Sequence, residues 1–514
     1  MTTGRSPGAT VLLFGLPLAV FLALAVSSAW VCDDAFIAFR YGRNFAEGLG
    51  LRFNLGVEPP VEGYTQLGWV LWLALVEKLG RDPTVWAPGG SIAAGAVLLL
   101  WLLAYGRRRL ELGAVATLAA GLFFATAPSV VVWSSGGLGT MPFALAIFAA
   151  AERLLGDPER PRVWQAAVAL LFVVLLRADG VYWVALILGY ALLRSRAVPV
   201  EARSALVRGA FACGGVVAVA VGAQLAFRLG YYGDWLPNTV RAKVGMSVDL
   251  LRRGACYLVS YWLTIPAVAL AFVLGASFCG RRVEHWLRVS AVLIAGTFLY
   301  GVLVGGDFMA MGRFFVPAAP FLALVVGRLA QLAAARFGGV AAGALGVVLL
   351  GLSVPVLGDV HLAPRAAREA CAFRWQIIYQ TEYEFWRGMD ERAQQWSDLG
   401  RALGEHADPD ASIVRVAIGA VGYYSRLFVY DRAGLVNREV VRDIEIADPL
   451  KFPSHDRVAK IPYFASYKPT YAHAVIVYGP NPVRPWPRAS RSEVIPIAAA
   501  DGYLADGFVT LSFY

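Results

Sequence analysis

Residues 10–34 read TVLLFGLPLAVFLALAVSSAWVCDD. The run from Thr10 to Val31 is long enough to cross a bilayer, since a span needs roughly 20 apolar residues. It stops at two adjacent acids, Asp33 and Asp34. Carboxylates beside hydrocarbon are costly, and those found there generally have a task. No small-x-small cleavage site precedes the acids and many apolar runs follow, so the run reads as a retained anchor rather than a signal peptide. Residues 35–69, AFIAFRYGRNFAEGLGLRFNLGVEPPVEGYTQLGW, are polar, aromatic and Gly-rich, which marks an ordered functional loop.

The composition agrees. Of 514 residues, 58% are hydrophobic and only 16% charged, with a mean hydropathy of +0.58. A soluble chain of this length carries more charge, so the chain is expected to be a polytopic α-helical membrane protein. The net charge of +10 would suggest nucleic acid in a soluble protein. Here the excess sits in short loops, at Arg107-Arg108-Arg109, Arg194/Arg196 and Arg281-Arg282. That is the pattern of cytoplasmic loops, and it excludes nucleic acid as the partner to look for. The five cysteines, Cys32, Cys213, Cys256, Cys279 and Cys371, have no metal-type spacing. Neither a disulfide nor a zinc site is expected.

Apolar runs place spans at 10–31, 86–106, 112–134, 137–155, 163–177, 180–194, 207–230, 256–279, 286–305, 315–334 and 339–358, about eleven in all. An odd number sets the termini on opposite sides. With the basic loops cytoplasmic, the N-terminus is cytoplasmic and the C-terminus lies outside. The outward loops are then 32–85, Ser134–Gly139, 231–255 and 306–314. Within the first loop, Asp34–Glu47 reads as a helix ended by Gly48, and 66–80 as a juxtamembrane or re-entrant helix too short to span. After Gly358 the polarity becomes ordinary. Two domains are expected: a membrane domain, 1–358, and an extracytoplasmic α/β or α+β domain, 359–514. The second should carry a helix over Trp375–Leu403 and strands at Ser412–Ile418, Leu427–Tyr430, Ala474–Tyr478 and Phe508–Phe513.

Five polar constellations fall on the outward side. In the first, Asp33 and Asp34 are followed at helical spacing by Arg40, Tyr41 and Asn44, and then by Asn54, Glu62, Tyr64 and Thr65. One reading is a carboxylate base that activates a hydroxyl, an arginine for a carboxylate or phosphate, and aromatic and amide groups for a polyol. The other is an acidic helix cap, which accounts for only one of the two acids. The second is Tyr231-Tyr232-Gly233-Asp234-Trp235-Leu236-Pro237-Asn238-Thr239 with Arg241 and Lys243, either a phosphate site or an interfacial aromatic belt with snorkelling cations. The third pairs Asp307 with Arg313, a functional couple or a structural lock. The fourth is Trp133-Ser134-Ser135-Gly136-Gly137-Leu138-Gly139-Thr140, where the glycines admit a ligand or a neighbouring helix. The fifth is Arg177 with Asp179, which can form a plain ion pair.

Acids, cations and aromatics gathered on one membrane face suggest a composite site there. The chain has no Walker loop and no GxGxxG between a strand and a helix. An enzyme outside the cytoplasm has no nucleotide supply, so its activated donor would have to be lipid-borne, for instance on a polyprenyl phosphate. Asp33 and Asp34 could together hold a divalent cation, but no third ligand is in view and no cofactor is assigned.

The stretch DDAFIAFRYGRNFAEGLGLRFNLGVEPPVEGYTQLGW (33–69) resembles the first outer loop of membrane glycosyltransferases of the GT-C superfamily, above all bacterial proteins akin to the mycobacterial terminal arabinofuranosyltransferase and the pilin arabinosyltransferases. YYGDWLPNTVRAKVG, GGDFMAMGRFFVP and IGAVGYYSRLFVYDRAGLVNRE are similar to segments of those proteins, so the likeness runs from about Asp33 to Asn437. It implies a GT-C fold with an extracytoplasmic C-terminal domain, a polyprenyl-phosphate-sugar donor and a catalytic acid at Asp33 or Asp34. Where that family leads one to expect an acid before the Thr of SGGLGT, this chain has Gly139. The expected function is transfer of a sugar, arabinofuranose being the one the likeness suggests, to an envelope glycan, lipid or protein. Arg40, Arg241, Lys243 and Arg313 are the candidates for the donor phosphate. Tyr41, Asn44, Glu62, Tyr64, Thr65, Tyr231, Tyr232, Asp234, Asn238, Asp307, Tyr423 and Tyr424 are candidates for sugar or acceptor. The rivals are a transporter or flippase of a lipid-linked sugar, disfavoured by charges at one surface and no visible repeat, and a non-catalytic envelope scaffold.

Overall fold

The computed structural model describes residues 7–243, 247–277, 285–375 and 377–472, without the side chains of 7–10, 201, 243 and 472. The expected strands at Ala474–Tyr478 and Phe508–Phe513, and Cys279 and Arg281-Arg282, lie outside the described residues. The described residues divide into two compact units. One is drawn from Met1–Trp30, Thr84–Ala223 and Met246–Trp386, the other from Val31–Pro83, Gln224–Gly245 and Arg387–Tyr514.

The first unit is helical. Each apolar run of the sequence coincides with one or more helices, from Pro7–Ser27 and Pro83–Arg109 through Ala319–Phe337 and Gly339–Gly351. Among the described residues, five helices are long and apolar enough to cross a membrane, or six if one bent pair counts as a single span. The chain is a multi-pass membrane protein. Prolines divide two of the expected spans. The run 112–134 is split into Ala114–Thr126 and Pro128–Trp133. The run 256–279 becomes Val248–Thr264 and Pro266–Ser277, bent by 101°. In both places the residue before proline is pushed out of the helical region (Ala127 at ψ 119°, Ile265 at ψ 77°). The turn Ser134–Thr140 is buried throughout, which fits its packing reading.

The second unit holds the first loop. The helix Asp33–Ala46 carries both acids in its first turn. It ends as the sequence suggests: Gly48 takes φ +80°, and the Leu49 and Gly48 amides donate to the carbonyls of Asn44 and Phe45. The helix Leu67–Lys78 lies against it at Gly42, where a side-chain Cβ would stand 3.1 Å from the Ala74 nitrogen and from Leu73 Cβ, tighter than ordinary contact. Three short parallel strands follow: β1 (Ser412–Arg415), β2 (Phe428–Asp431) and β3 (Tyr471–Ala472), in the order β2-β1-β3. Ile413 is level with Val429 on one side and Tyr471 on the other. The expected helix over Trp375–Leu403 runs over Glu382–His406.

Candidate functional site

In the second unit the paired acids have different surroundings. Asp33 reaches across to the short helix Gly419–Ser425, accepting the Ala420 amide at 2.8 Å on Oδ1 and the Gly419 amide at 3.1 Å on Oδ2. Burial raises its pKa to about 6, and the neighbouring Asp34 pushes the same way. The two amides and Arg415 act against that rise. Asp33 is therefore an N-terminal cap, supplied by a distant part of the sequence to the helix 419–425. Asp34 is half-buried. Its carboxylate makes no hydrogen bond or ion pair among the described residues.

The helical spacing explains the contrast. Asp33, Phe36, Arg40 and Arg43 share the face that meets helix 419–425, and Asp34 is turned about 100° away from it. On that face Arg40 is buried, with Nη1 donating to the Gly422 carbonyl at 2.9 Å and Nη2 to the Leu427 carbonyl at 2.8 Å. Its guanidinium lies 4.2 Å from the Phe53 ring centre. Arg40 thus saturates carbonyls at the end of helix 419–425, which is the position of a scaffold residue. Arg43 lies over Tyr423 at 4.4 Å, and the Tyr423 hydroxyl donates to Glu77 at 2.8 Å. Burial raises the pKa of Glu77.

Several other expected ligand-binding residues are struts. The Tyr41 hydroxyl donates to the Val61 carbonyl at 2.6 Å and accepts the Gly63 amide at 2.8 Å. Asn44 donates to the Arg52 carbonyl, and Asn54 pairs through both amide atoms with Val429 in β2. Glu62 is buried against Arg228 at 2.6 Å. Tyr64 meets Tyr232 hydroxyl to hydroxyl at 3.1 Å, and Tyr232 donates to the Leu51 carbonyl. Asn238 donates to the Gly434 and Leu435 carbonyls. Tyr41, Asn44, Glu62, Tyr64, Tyr232 and Asn238 are thus matched within the fold, and buried polar atoms so matched have little left to offer a ligand.

The remaining candidates are more open. Asp234 accepts the Trp235 amide and pairs with exposed Arg241 at 2.7 Å; Arg241 also lies 5.7 Å from the Trp235 ring. This favours the interfacial reading of that loop. Tyr231 stacks on Phe227 at 5.2 Å, Tyr424 sits under Arg401 at 4.2 Å, and Thr65 is half-buried. Lys243 closes the helix Asn238–Lys243, and its side chain lies outside the described residues.

The first unit has its own charged cluster. Asp307 is 1% exposed and takes Arg313 Nε at 2.7 Å. Arg177 Nε donates to Asp179 at 2.8 Å, and the Tyr300 hydroxyl also binds Asp179. Both guanidinium groups flank one ring, with Arg177 5.2 Å and Arg313 5.1 Å from Phe314; Arg313 is also 5.5 Å from Trp133. Each arginine keeps N–H groups with no partner among the described residues. The loop that bears Asp307 and Arg313 is held from below. Arg374 donates to the Phe308 and Met309 carbonyls and pairs with buried Glu382 at 2.7 Å, while Glu382 accepts the Met311 amide at 2.7 Å. Sequence reasoning missed Arg374, Glu382 and Arg415. None belongs to a motif, and each finds its partner only through the fold.

Among the described residues no three His, Cys, Asp or Glu side chains converge as a metal site would require. Both oxygens of Asp33 face amide donors, so the Asp33-Asp34 pair fits a divalent cation poorly.

The fold aligns with that of the glycosyltransferase ArnT from Cupriavidus metallidurans in its complex with undecaprenyl phosphate, at TM-score 0.52 and 14% identity, covering 90% of this chain and 92% of that one. The chain has the GT-C fold. The apo form of the same ArnT aligns at TM-score 0.52 and 15% identity, over 90% and 91% of the two chains. An apo oligosaccharyltransferase from Archaeoglobus fulgidus, also of the GT-C class, aligns at TM-score 0.49 and 9% identity over 82% of this chain and 64% of its own. Residues 376–510 match a family model described as a domain of unknown function (DUF8728). No curated protein matches the sequence.

Proposed function

We propose that this GT-C protein is a glycosyltransferase that moves a sugar from a polyprenyl-phosphate donor to a hydroxyl of a cell-envelope glycan, lipid or protein. The observation that carries the reading is the unlike pair at the head of the first loop: Asp33 is committed to two backbone amides, and Asp34 keeps a carboxylate without a partner among the described residues. The fold shared with ArnT, which was crystallised with undecaprenyl phosphate, supports the class of donor.

In the proposed reaction Asp34 takes the proton of the acceptor hydroxyl. The acceptor oxygen bonds to the anomeric carbon, the bond from that carbon to the phosphate oxygen breaks, and the polyprenyl phosphate leaves with the electron pair. Within the first unit, the unpartnered N–H groups of Arg313 and Arg177 are of the kind that binds a phosphate, as forked guanidinium donors do. Asp307 and Asp179 keep them oriented. Asp33 and Arg40 act one step back, by tying the first-loop helix to the start and the end of helix 419–425. The proposed topology keeps eleven spans, a cytoplasmic N-terminus and the polar residues 359–514 outside. The first-loop likeness makes arabinofuranose the first sugar to test.

The test uses the purified full chain in nanodiscs of anionic phospholipid, supplied with a radiolabelled polyprenyl-phosphate sugar and envelope extract. Free polyprenyl phosphate appearing together with label in the acceptor supports the reading. Movement of intact labelled lipid between leaflets without transfer would identify a flippase instead.

A further inference from the structure

Two of the cysteines have no place in the reaction above. Cys256 lies in the helix Val248–Thr264, and Cys371 caps the short helix Arg365–Ala370; both belong to the first unit, are half-buried and are free thiols. They are more than a hundred residues apart in sequence, yet the segments carrying them touch. Tyr257, next to Cys256, meets Phe373 ring to ring at 4.9 Å. Ser260, one turn on, and Ala372, next to Cys371, line the same cleft. The two thiols are within electrostatic reach of each other.

We propose that Cys256 and Cys371 are an oxidisable pair, a disulfide site that clips the segment 371–382 to the helix Val248–Thr264. This inference does not depend on the glycosyl-transfer reading. The oxidant is a disulfide, RSSR, small or borne by a protein. One cysteine thiolate attacks it, forms a mixed disulfide and releases one RS⁻. The second cysteine thiolate then attacks the protein sulfur and releases the other RS⁻. Two protein thiols are oxidised and one RSSR is reduced to two thiols, the two RS⁻ taking up the two protons that the protein thiols shed. The clipped segment carries Arg374 and Glu382, which hold the loop of Asp307 and Arg313. A covalent clip therefore stiffens the support of that loop.

The experiment exposes the detergent-purified full chain to oxidised glutathione, blocks remaining thiols by alkylation, and maps non-reduced peptides by mass spectrometry. The expected result is one peptide pair joined through Cys256 and Cys371, lost on reduction, with both residues disappearing together from the alkylated pool. In Cys371→Ser, Cys256 should instead keep a stable glutathione adduct. Separate adducts on both cysteines of the natural chain, or both thiols still open to alkylation, would overturn the proposal.

Discussion

Replacing Gly419 by alanine tests the Asp33 cap with a single methyl group. An ideal Cβ at 419 would stand 1.9 Å from the Asp33 carbonyl oxygen, 2.7 Å from its carbonyl carbon and 3.0 Å from its Cγ. The atoms in the way are mostly backbone and cannot swing aside. Ordinary carbon contacts begin near 3.5 Å, so helix 419–425 must withdraw by more than about 1 Å. That breaks the amide bonds of 2.8 and 3.1 Å to Asp33. Hydrogen bonds to a charged group contribute about 1.5–3 kcal/mol each, so their joint loss costs about 3–6 kcal/mol. The better helix propensity of alanine returns up to about 1 kcal/mol. A net loss of a few kcal/mol is a large share of the roughly 5–15 kcal/mol that holds a typical domain together. Hydrogen exchange on the full chain in detergent reads this directly: the amides of 419 and 420 should lose protection by at least tenfold, with a lower unfolding temperature. Unchanged protection at those two amides would refute the cap.

Asp33→Asn keeps one acceptor oxygen and loses the other, so one amide goes unpaired at a cost of about 1–3 kcal/mol, measurable as a drop in unfolding temperature below about pH 4, where Asp33 carries no charge for the substitution to remove. The same residue sets a pH dependence. Its pKa is raised from 3.8 to about 6 in the fold, so its favourable contribution is full below pH 3.8 and is lost as pH rises through about 6, up to about 3 kcal/mol over that window. The Asp33→Asn chain should lack that slope in thermal scans between pH 4 and pH 7. Arg374→Met strands buried Glu382 and should destabilise by about 3–5 kcal/mol, and adding Glu382→Met should recover much of it; calorimetry of the single and double variants checks both. Arg313→Lys keeps the charge but loses the fork, and transfer kinetics should show a tenfold or greater loss in kcat/KM for the lipid donor.

The membrane class was legible because apolar runs need no partner to be recognised, and the GT-C likeness was legible in residues 33–69 because loop residues carry function more openly than core residues. The first-loop helix and its Gly48 stop were readable for the same local reasons. What the chain hid was the use of each polar residue. Arg40, Tyr41, Asn44 and Glu62 have the side chains of a sugar site, yet their partners are the carbonyls of Gly422, Leu427, Val61 and Arg52 and the guanidinium of Arg228. Only the fold brings those groups together. The two acids were inseparable as neighbours in sequence; a 100° step around a helix separates them. Pro128 and Pro266 were visible breakers inside expected spans, but hydropathy alone does not report the 101° bend that accompanies Pro266.

The central claim is that the second acid of the pair does the chemistry and the first holds the scaffold. It is tested most directly by measuring initial rates of sugar transfer from a polyprenyl-phosphate donor by Asp34→Asn and Asp33→Asn side by side, with the unfolding temperature of each. Asp34→Asn should lower kcat by about 10²–10⁴ with its unfolding temperature unchanged, and Asp33→Asn should keep more activity. Full transfer by Asp34→Asn, or the opposite ranking of the two variants, would contradict the account.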